Sequence, residues 1–358
     1  MTRPLISLAA LLALAAPSFA QEAAPAPPSP AEIVDQAPAD EWVAIPPEDL
    51  LVMTLAPAAD GSERKVVIQL MPAPFSQGWV KNIRTLARAN WYDGISVNRV
   101  QDNYVVQWGD PNYDNPEADG PAKPLPEGLQ VPNSDAVIST PYTLSVDEDL
   151  FPITWTDAGR HEFGRTYGSA NIPWPDARNP VRITGPYASS YGFNSGFPFA
   201  LGFPYGLQFR IAPTKPMIAW PVHCYGMVGV GRGMSPDTGT GAELYTVIGH
   251  APRHLDRNIA LVGRVVEGIE HLSSLPRGKG QLGFYEDEAM RTPILTVRVA
   301  ADLPASERPS FEYLATDGAS FARYAEARAN RRDPFFIVPA GGADICNIPV
   351  PVRRTGSQ

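Results

Sequence analysis

An arginine and a glutamine stand eight residues apart in the stretch Ser96-Val-Asn-Arg-Val-Gln-Asp-Asn-Tyr-Val-Val-Gln-Trp-Gly-Asp-Pro111, with Tyr104 between them and a Gly-Asp turn directly after. Both flanks read as strands, about Ile95 to Val100 and Tyr104 to Trp108, so strand alternation would bring Arg99 and its partners to one face. A guanidinium stays charged at all working pH and offers several donors in a fixed fork, which suits electrostatic stabilisation. Strand composition alone equally accommodates a surface arginine beside an ordinary core tyrosine.

Other spacings suggest chemistry less well. His250-Ala-Pro-Arg-His254 has the i, i+4 spacing of a helical metal pair, but Pro252 lies between the histidines and the flanks are strand-like, so no metal is expected. Gly229-Val-Gly-Arg-Gly233 lacks the lysine and the strand-to-helix context of a phosphate loop, and reads as a strand where backbone approaches a peptide closely. Asp147-Glu-Asp149 is a solvated acidic triplet with no second carboxylate to pair it for glycoside chemistry. No Ser-His-Asp set assembles.

The elements that must position these residues follow from composition and pattern. Residues 1–20 read as an export signal: Arg3, an apolar run from Leu5 to Ala16, then small residues at Ser18 and Ala20. No segment approaches the roughly 20 apolar residues of a transmembrane helix. The chain carries 29 basic and 38 acidic residues, a formal charge of −9, which excludes nucleic acid as a partner for want of a basic face. Its 39 prolines and 30 glycines point to a loop-rich, strand-based protein. Export to an oxidising compartment makes the only cysteines, Cys224 and Cys346, a candidate disulfide, with two buried free thiols as the alternative.

Residues 21–41 read as a Pro/Ala-rich disordered linker. Leu50–Ala56 and Lys65–Met71 form a hairpin, and Trp79, Val80, Ile83, Leu86 and Ala87 fall at helical spacing. From about 112 to 216 regularity is lost, and the segment reads as an ordered insertion packed on the domain. Strands resume at Met217–Trp220, Gly226–Val230, Glu243–Ile248 and Ile259–Val265, followed by a short helix from Gly268 to Ser273 and a last strand Ile294–Ala300. Residues 305–358 form a C-terminal extension with one helix, Phe321–Arg328, capped by Ser320.

Val97-Asn-Arg-Val100 followed by Asn103-Tyr-Val-Val-Gln-Trp-Gly-Asp110 resembles the Phe-His-Arg and Phe-Met-x-Gln-Gly-Gly-Asp run of the cyclophilin-type peptidyl-prolyl isomerases. Downstream, His254-Leu-Asp-Arg-Asn-Ile-Ala-Leu-Val-Gly-Arg-Val265 is similar to that family's Trp-Leu-Asp-Gly-Lys-His-Val-Val-Phe-Gly-x-Val run, without a gap. The resemblance covers roughly Leu50 to Pro111 and Trp220 to Pro304. It implies a mainly β fold: a cyclophilin-like closed eight-stranded barrel with two short helices, spanning 42–304 and interrupted by the insertion.

The resemblance also implies an activity, isomerisation of X-Pro bonds in proline-containing segments; joined to the export signal, it makes other exported proteins, in the periplasm, the expected substrates. Carried over by position, Arg99 is the catalytic arginine and Gln107 its polar neighbour. Tyr104, Val105, Tyr245 and Leu255 are the walls of a proline pocket; Gly231, Arg232 and Glu243 line the groove, and His254 stands at its rim. No bond is made in the reaction, so no cofactor is implied. At four positions the chain departs from the family: Arg232 replaces an asparagine, Glu243 a glutamine, His254 a tryptophan and Ile259 a histidine. Three of these, Arg232, Glu243 and Ile259, motivate a second reading, a cyclophilin-fold peptide-binding or chaperone module with little or no turnover. A third, carbohydrate recognition, rests on Tyr187, Tyr191, Phe193 and Asn194 in the insertion.

Overall fold

The computed structural model describes residues 26–113, 118–130, 141–145, 183–184, 188, 190–202 and 218–355. The expected signal at residues 1–20, the triplet Asp147–Asp149, Tyr187 and most of the insertion lie outside them. In chain order the first strands are β1 (Trp42–Ala44), β2 (Leu50–Leu55), β3 (Arg64–Leu70), β4 (Ser96–Val100), β5 (Val105–Gly109), β6 (Leu144–Ser145), β7 (Ile183–Thr184), β8 (Ser190–Asn194) and β9 (Phe197–Gly202). The remainder are β10 (Ile218–Pro221), β11 (Met227–Val230), β12 (Leu244–Val247), β13 (Leu261–Glu267), β14 (Thr292–Val299), β15 (Phe311–Leu314), β16 (Ala343–Asp344) and β17 (Val352–Arg354). The α-helices among the described residues are α1 (Pro30–Asp35), α2 (Gln77–Arg88), α3 (Glu270–Ser273) and α4 (Ala319–Ala329).

Eight strands close a barrel in the order β11-β12-β5-β4-β14-β2-β3-β13, with β13 pairing back on β11. The apolar runs of β2 and β3 are continuous rather than alternating because both of their faces are covered. Leu51, Met53, Leu55, Val66 and Ile68 belong to the main core, together with Trp79, Val80, Ile83, Leu86 and Ala87 of α2. Leu50, Val52 and Val67 face the other way, onto Ile45, Ala300 and Phe311. Helix α2 ends at Arg88, and Asn90 just beyond it takes the left-handed region at φ 52°.

The outer cover of β2 and β3 comes from both chain ends. Strand β15 lies between β1 and β17 in a three-stranded sheet, so Trp42 pairs with Leu314 of the C-terminal extension rather than with the barrel. Cys224 and Cys346 form a disulfide that ties this extension to the barrel just before β11.

Three expectations need correction. The stretch expected to be disordered through residue 41 carries helix α1, started by a capping box in which Ser29 and Glu32 satisfy each other's backbone N–H groups. The residue capping α4 is Gly318; Ser320 is buried inside the first turn, where its N–H donates to the Glu41 carboxylate (2.8 Å). The insertion, expected to be ordered, contributes β6, β8 and β9 to a four-stranded sheet, β6-β10-β9-β8, whose remaining member β10 is the expected strand at Met217–Trp220. In it Tyr191 is buried and Phe193 packs edge-on against Phe321 of α4 (5.0 Å between ring centres), so these aromatics serve packing and not a sugar-binding face. Arg264 of β13 fastens this sheet to the barrel: it is buried, donates to Gln69 Oε1 (2.9 Å) and to Gly196 O (2.8 Å), and lies over the Phe197 ring.

Candidate active site

Strands β4 and β5 set the centre of the site. Arg99 pairs directly with Gln107 across the ladder, and the register shifts between Val97 and Arg99. The extra residue is Asn98, a β-bulge. Simple alternation would place Val97 and Arg99 on one face; the bulge instead sends Val97 into the core and turns Arg99 outward. Buried Asn98 is held there by accepting from Ser96 Oγ (2.6 Å) and donating to Gly109 O (3.2 Å). On β5 the alternation is regular: Val106 and Trp108 are core, Val105 and Gln107 line the cleft.

The Arg99 guanidinium is half-buried and fully organised. Its Nε donates to Leu282 O (2.7 Å), Nη1 to Gln107 Oε1 (3.0 Å) and Nη2 to Gln101 Oε1 (2.5 Å), and it lies between the Tyr104 and Phe284 rings. All three acceptors are neutral oxygens, and no carboxylate among the described residues forms an ion pair with it. Burial lowers its pKa, but a guanidinium starts so high that it keeps its proton. Among the described residues three of its five N–H donors are taken, leaving two for a ligand.

The cleft that Arg99 opens into has a volume of about 280 Å³. Tyr104, Val105, Tyr245, Leu255 and Ile259 form one apolar cluster in it. Gly231, Arg232 and Glu243 also line this cleft. Arg232 folds back to donate to Asn258 O (2.8 Å from Nη2) and Gly233 O (2.8 Å from Nη1). His254 is exposed at the rim, stacked on Tyr104 with its Nε2 3.5 Å from the phenol oxygen. It does not converge with His250, whose Nδ1 instead faces Asn103 Nδ2 (3.4 Å).

Two side chains are placed less obviously. Glu243 is buried, with the backbone of Gly109 so near that a Cβ there would overlap the carboxylate. Burial, only partly offset by hydrogen bonding from Gln107 and the backbone at Asp110, pushes its pKa up to about 8. Tyr245 is also buried, and its hydroxyl lies 2.9 Å from His223 Nε2. His223 Nδ1 is 2.8 Å from Asp256 Oδ1, and Arg253 Nε donates to Asp256 Oδ2 (2.7 Å). Burial lowers the His223 pKa against the pull of Asp256, so the neutral ring gives its Nδ1 proton to Asp256 and accepts the phenol proton at Nε2.

Sequence reasoning did not find Gln101, Tyr113, Leu282, Phe284, His223 or Asp256. Gln101 was accessible, since it sits two residues after Arg99 on the same alternation. Leu282 and Phe284 come from an irregular loop that takes over the outer edge of β4, with Gly278 N–H donating to Val100 O (2.9 Å) and Tyr285 N–H to Asn98 O (2.9 Å). That loop has no periodicity to betray its role.

The described residues thus form a closed eight-stranded barrel with an arginine at the mouth of an apolar cleft. The family described as "Cyclophilin type peptidyl-prolyl cis-trans isomerase/CLD" matches residues 62–299. The chain belongs to the cyclophilin-type peptidyl-prolyl cis-trans isomerase family. Among solved structures it is similar to cyclophilin AquaCyp293 from Hirschia baltica, at 19% identity and a TM-score of 0.56 over 87% of this chain and 93% of that one. It is also similar to a cyclophilin-type peptidyl-prolyl cis-trans isomerase of Cryptosporidium parvum determined with the dipeptide Ala-Pro, at 11% identity and a TM-score of 0.32, over 70% and 96% of the two chains. No curated protein matches the sequence.

Proposed function

We propose that this chain isomerises X-Pro bonds in exported proteins, with Arg99 stabilising the twisted amide. The amide resists rotation by roughly 18–20 kcal/mol because twisting breaks its resonance and returns a lone pair to the prolyl nitrogen. A donor aimed at that nitrogen lowers the barrier only if it binds the twisted form better than the planar one. The observation that carries this reading is the Arg99 guanidinium itself, held by three neutral oxygens with two N–H groups to spare beside an apolar cleft. Its charge is thus positioned but not cancelled. The proline ring sits among Val105, Tyr245 and Leu255, while Tyr104 and Phe284 shield the guanidinium from water and so strengthen its field.

Export is supported by the pattern of residues 1–20 and by the Cys224–Cys346 disulfide, which persists in an oxidising compartment. The substrates are then unfolded or partly folded exported chains with accessible prolines. Arg232, bonded back across the end of the groove, favours one rival, peptide binding with little turnover. The experiment that separates them is exchange spectroscopy on a panel of X-Pro peptides with the purified mature protein. Accelerated cis–trans exchange supports the isomerase; binding without acceleration replaces it with the rival.

A further inference from the structure

The Gln107 carboxamide has one orientation that satisfies both of its neighbours. Oε1 accepts from Arg99 Nη1 (3.0 Å) and Nε2 donates to Glu243 Oε2 (3.4 Å). Turned over, its NH₂ would face the guanidinium donors and its oxygen would face the carboxyl. Residue 243 therefore decides how firmly Gln107, and through it Arg99, is held. Glu243 is 4% exposed, and its Oε1 has no hydrogen-bond partner among the described residues.

We propose that Glu243 is a positioning residue that sets the charge felt at Arg99: as a neutral acid it anchors Gln107 without opposing the guanidinium, and as a carboxylate it opposes it, so turnover falls when Glu243 ionises. The proposal rests on the isomerase reading of the site. A carboxylate two hydrogen bonds from Arg99 in a shielded cleft acts through low dielectric, so its charge is felt far more than in water. A carboxyl with a pKa near 8 makes the change within reach of ordinary buffers. Among the described residues, the other charged or titratable groups around it are Tyr92 after α2, Asp110 after β5, and Arg232, Tyr113, Tyr104 and Tyr245 in the cleft, with His254 at the rim. Asp110 opposes the charge on Glu243, buried Tyr92 stays a neutral phenol, and Arg232 is bonded back onto Asn258.

The test measures kcat and KM from pH 6 to 9.5 for the wild type and Glu243→Gln, alongside side-chain ¹⁵N shifts of Arg99 Nε and Gln107 Nε2. Expected for the wild type is a fall in kcat of at least about threefold through one titration, with KM changing less. The Arg99 and Gln107 signals should move with the same midpoint, and Glu243→Gln should abolish both effects. A pH profile shared by the two proteins, or Arg99 and Gln107 signals that do not follow the titration, overturns the proposal. If the wild type turns over no X-Pro peptide at any pH, the isomerase reading fails; the NMR titration still decides whether Glu243 acts on Arg99. Should Glu243→Gln not fold, Gln107→Leu serves instead: the Arg99 signal should then lose its titration, and an unchanged titration rules out relay through Gln107.

Discussion

Gly229 faces Tyr245 across the β11–β12 ladder, so closely that a Cβ at position 229 would overlap the phenol ring. The pocket wall thus depends on a glycine in a strand otherwise filled by buried valines and methionine. Gly229→Ala should push Tyr245 out of place and tilt its hydroxyl away from His223. We expect a stability loss of about 1–3 kcal/mol and a rise in peptide KM of roughly tenfold, about 1.4 kcal/mol. Thermal melts and peptide titrations read the two effects. An unchanged KM would mean that Tyr245 does not bound the proline pocket.

The disulfide joins positions 122 residues apart and lies beside the His223 network, with Cys346 Sγ 3.7 Å from His223 O. Replacing both cysteines with serine should cost about 2–4 kcal/mol by freeing a long loop in the unfolded chain. The barrel should still fold, because Ile345, Ile348 and Val350 remain packed in the core. Thiol labelling of the unfolded, unreduced wild type should find no free thiol. Two free thiols would show that the extension is held by packing alone.

Burial of Glu243 also makes stability depend on pH. Its folded pKa of about 8 stands above the ordinary 4.5, so between these values the folded protein holds a proton that the unfolded chain has released. Stability therefore falls as pH rises through that window, by at most roughly 1.4 kcal/mol per pH unit from this group, and levels off above it. Burial of neutral His223 works the opposite way below its ordinary 6.5, where acid favours the unfolded chain. The difference between wild type and Glu243→Gln isolates the glutamate: the variant should gain relative stability steadily from pH 5 to 8 in urea titrations. A constant difference across that range would mean Glu243 is ionised in the fold.

Much of the barrel was legible because its strands announce themselves as apolar runs bounded by turn residues, as at Leu50–Leu55 and Arg64–Leu70. The Arg99–Gln107 pair was legible for a related reason: a short turn between two strands must bring residues near its base together. The bulge at Asn98 was not, since its cause lies in distant partners: the Gly109 carbonyl on the next strand and a loop more than 180 residues away. Glu243 looks like a polar groove residue in the chain and becomes a buried acid only where Gly109 leaves room for it. His223 and Asp256 carry no spacing signal because their meeting depends on strand order. The capping box of α1 was present as Ser29-Pro-Ala-Glu32 but hidden in a proline- and alanine-rich context. The four-stranded sheet of the insertion needed Ser195 and Gly196, both at positive φ, to be recognised as a hairpin turn.

The role proposed for Arg99 is to supply the stabilisation that speeds rotation of the X-Pro amide. Comparing kcat/KM on one X-Pro peptide for the wild type, Arg99→Ala and Arg99→Lys, each with a matched thermal melt, tests it most directly. We expect Arg99→Ala to fold and to lose about 100-fold or more, roughly 2.7 kcal/mol of transition-state stabilisation, while its peptide Kd changes much less. Arg99→Lys should recover only part, because an ammonium lacks the planar fork that Gln101, Gln107 and Leu282 hold in place. A folded Arg99→Ala variant that keeps about a third or more of wild-type kcat/KM would contradict the account.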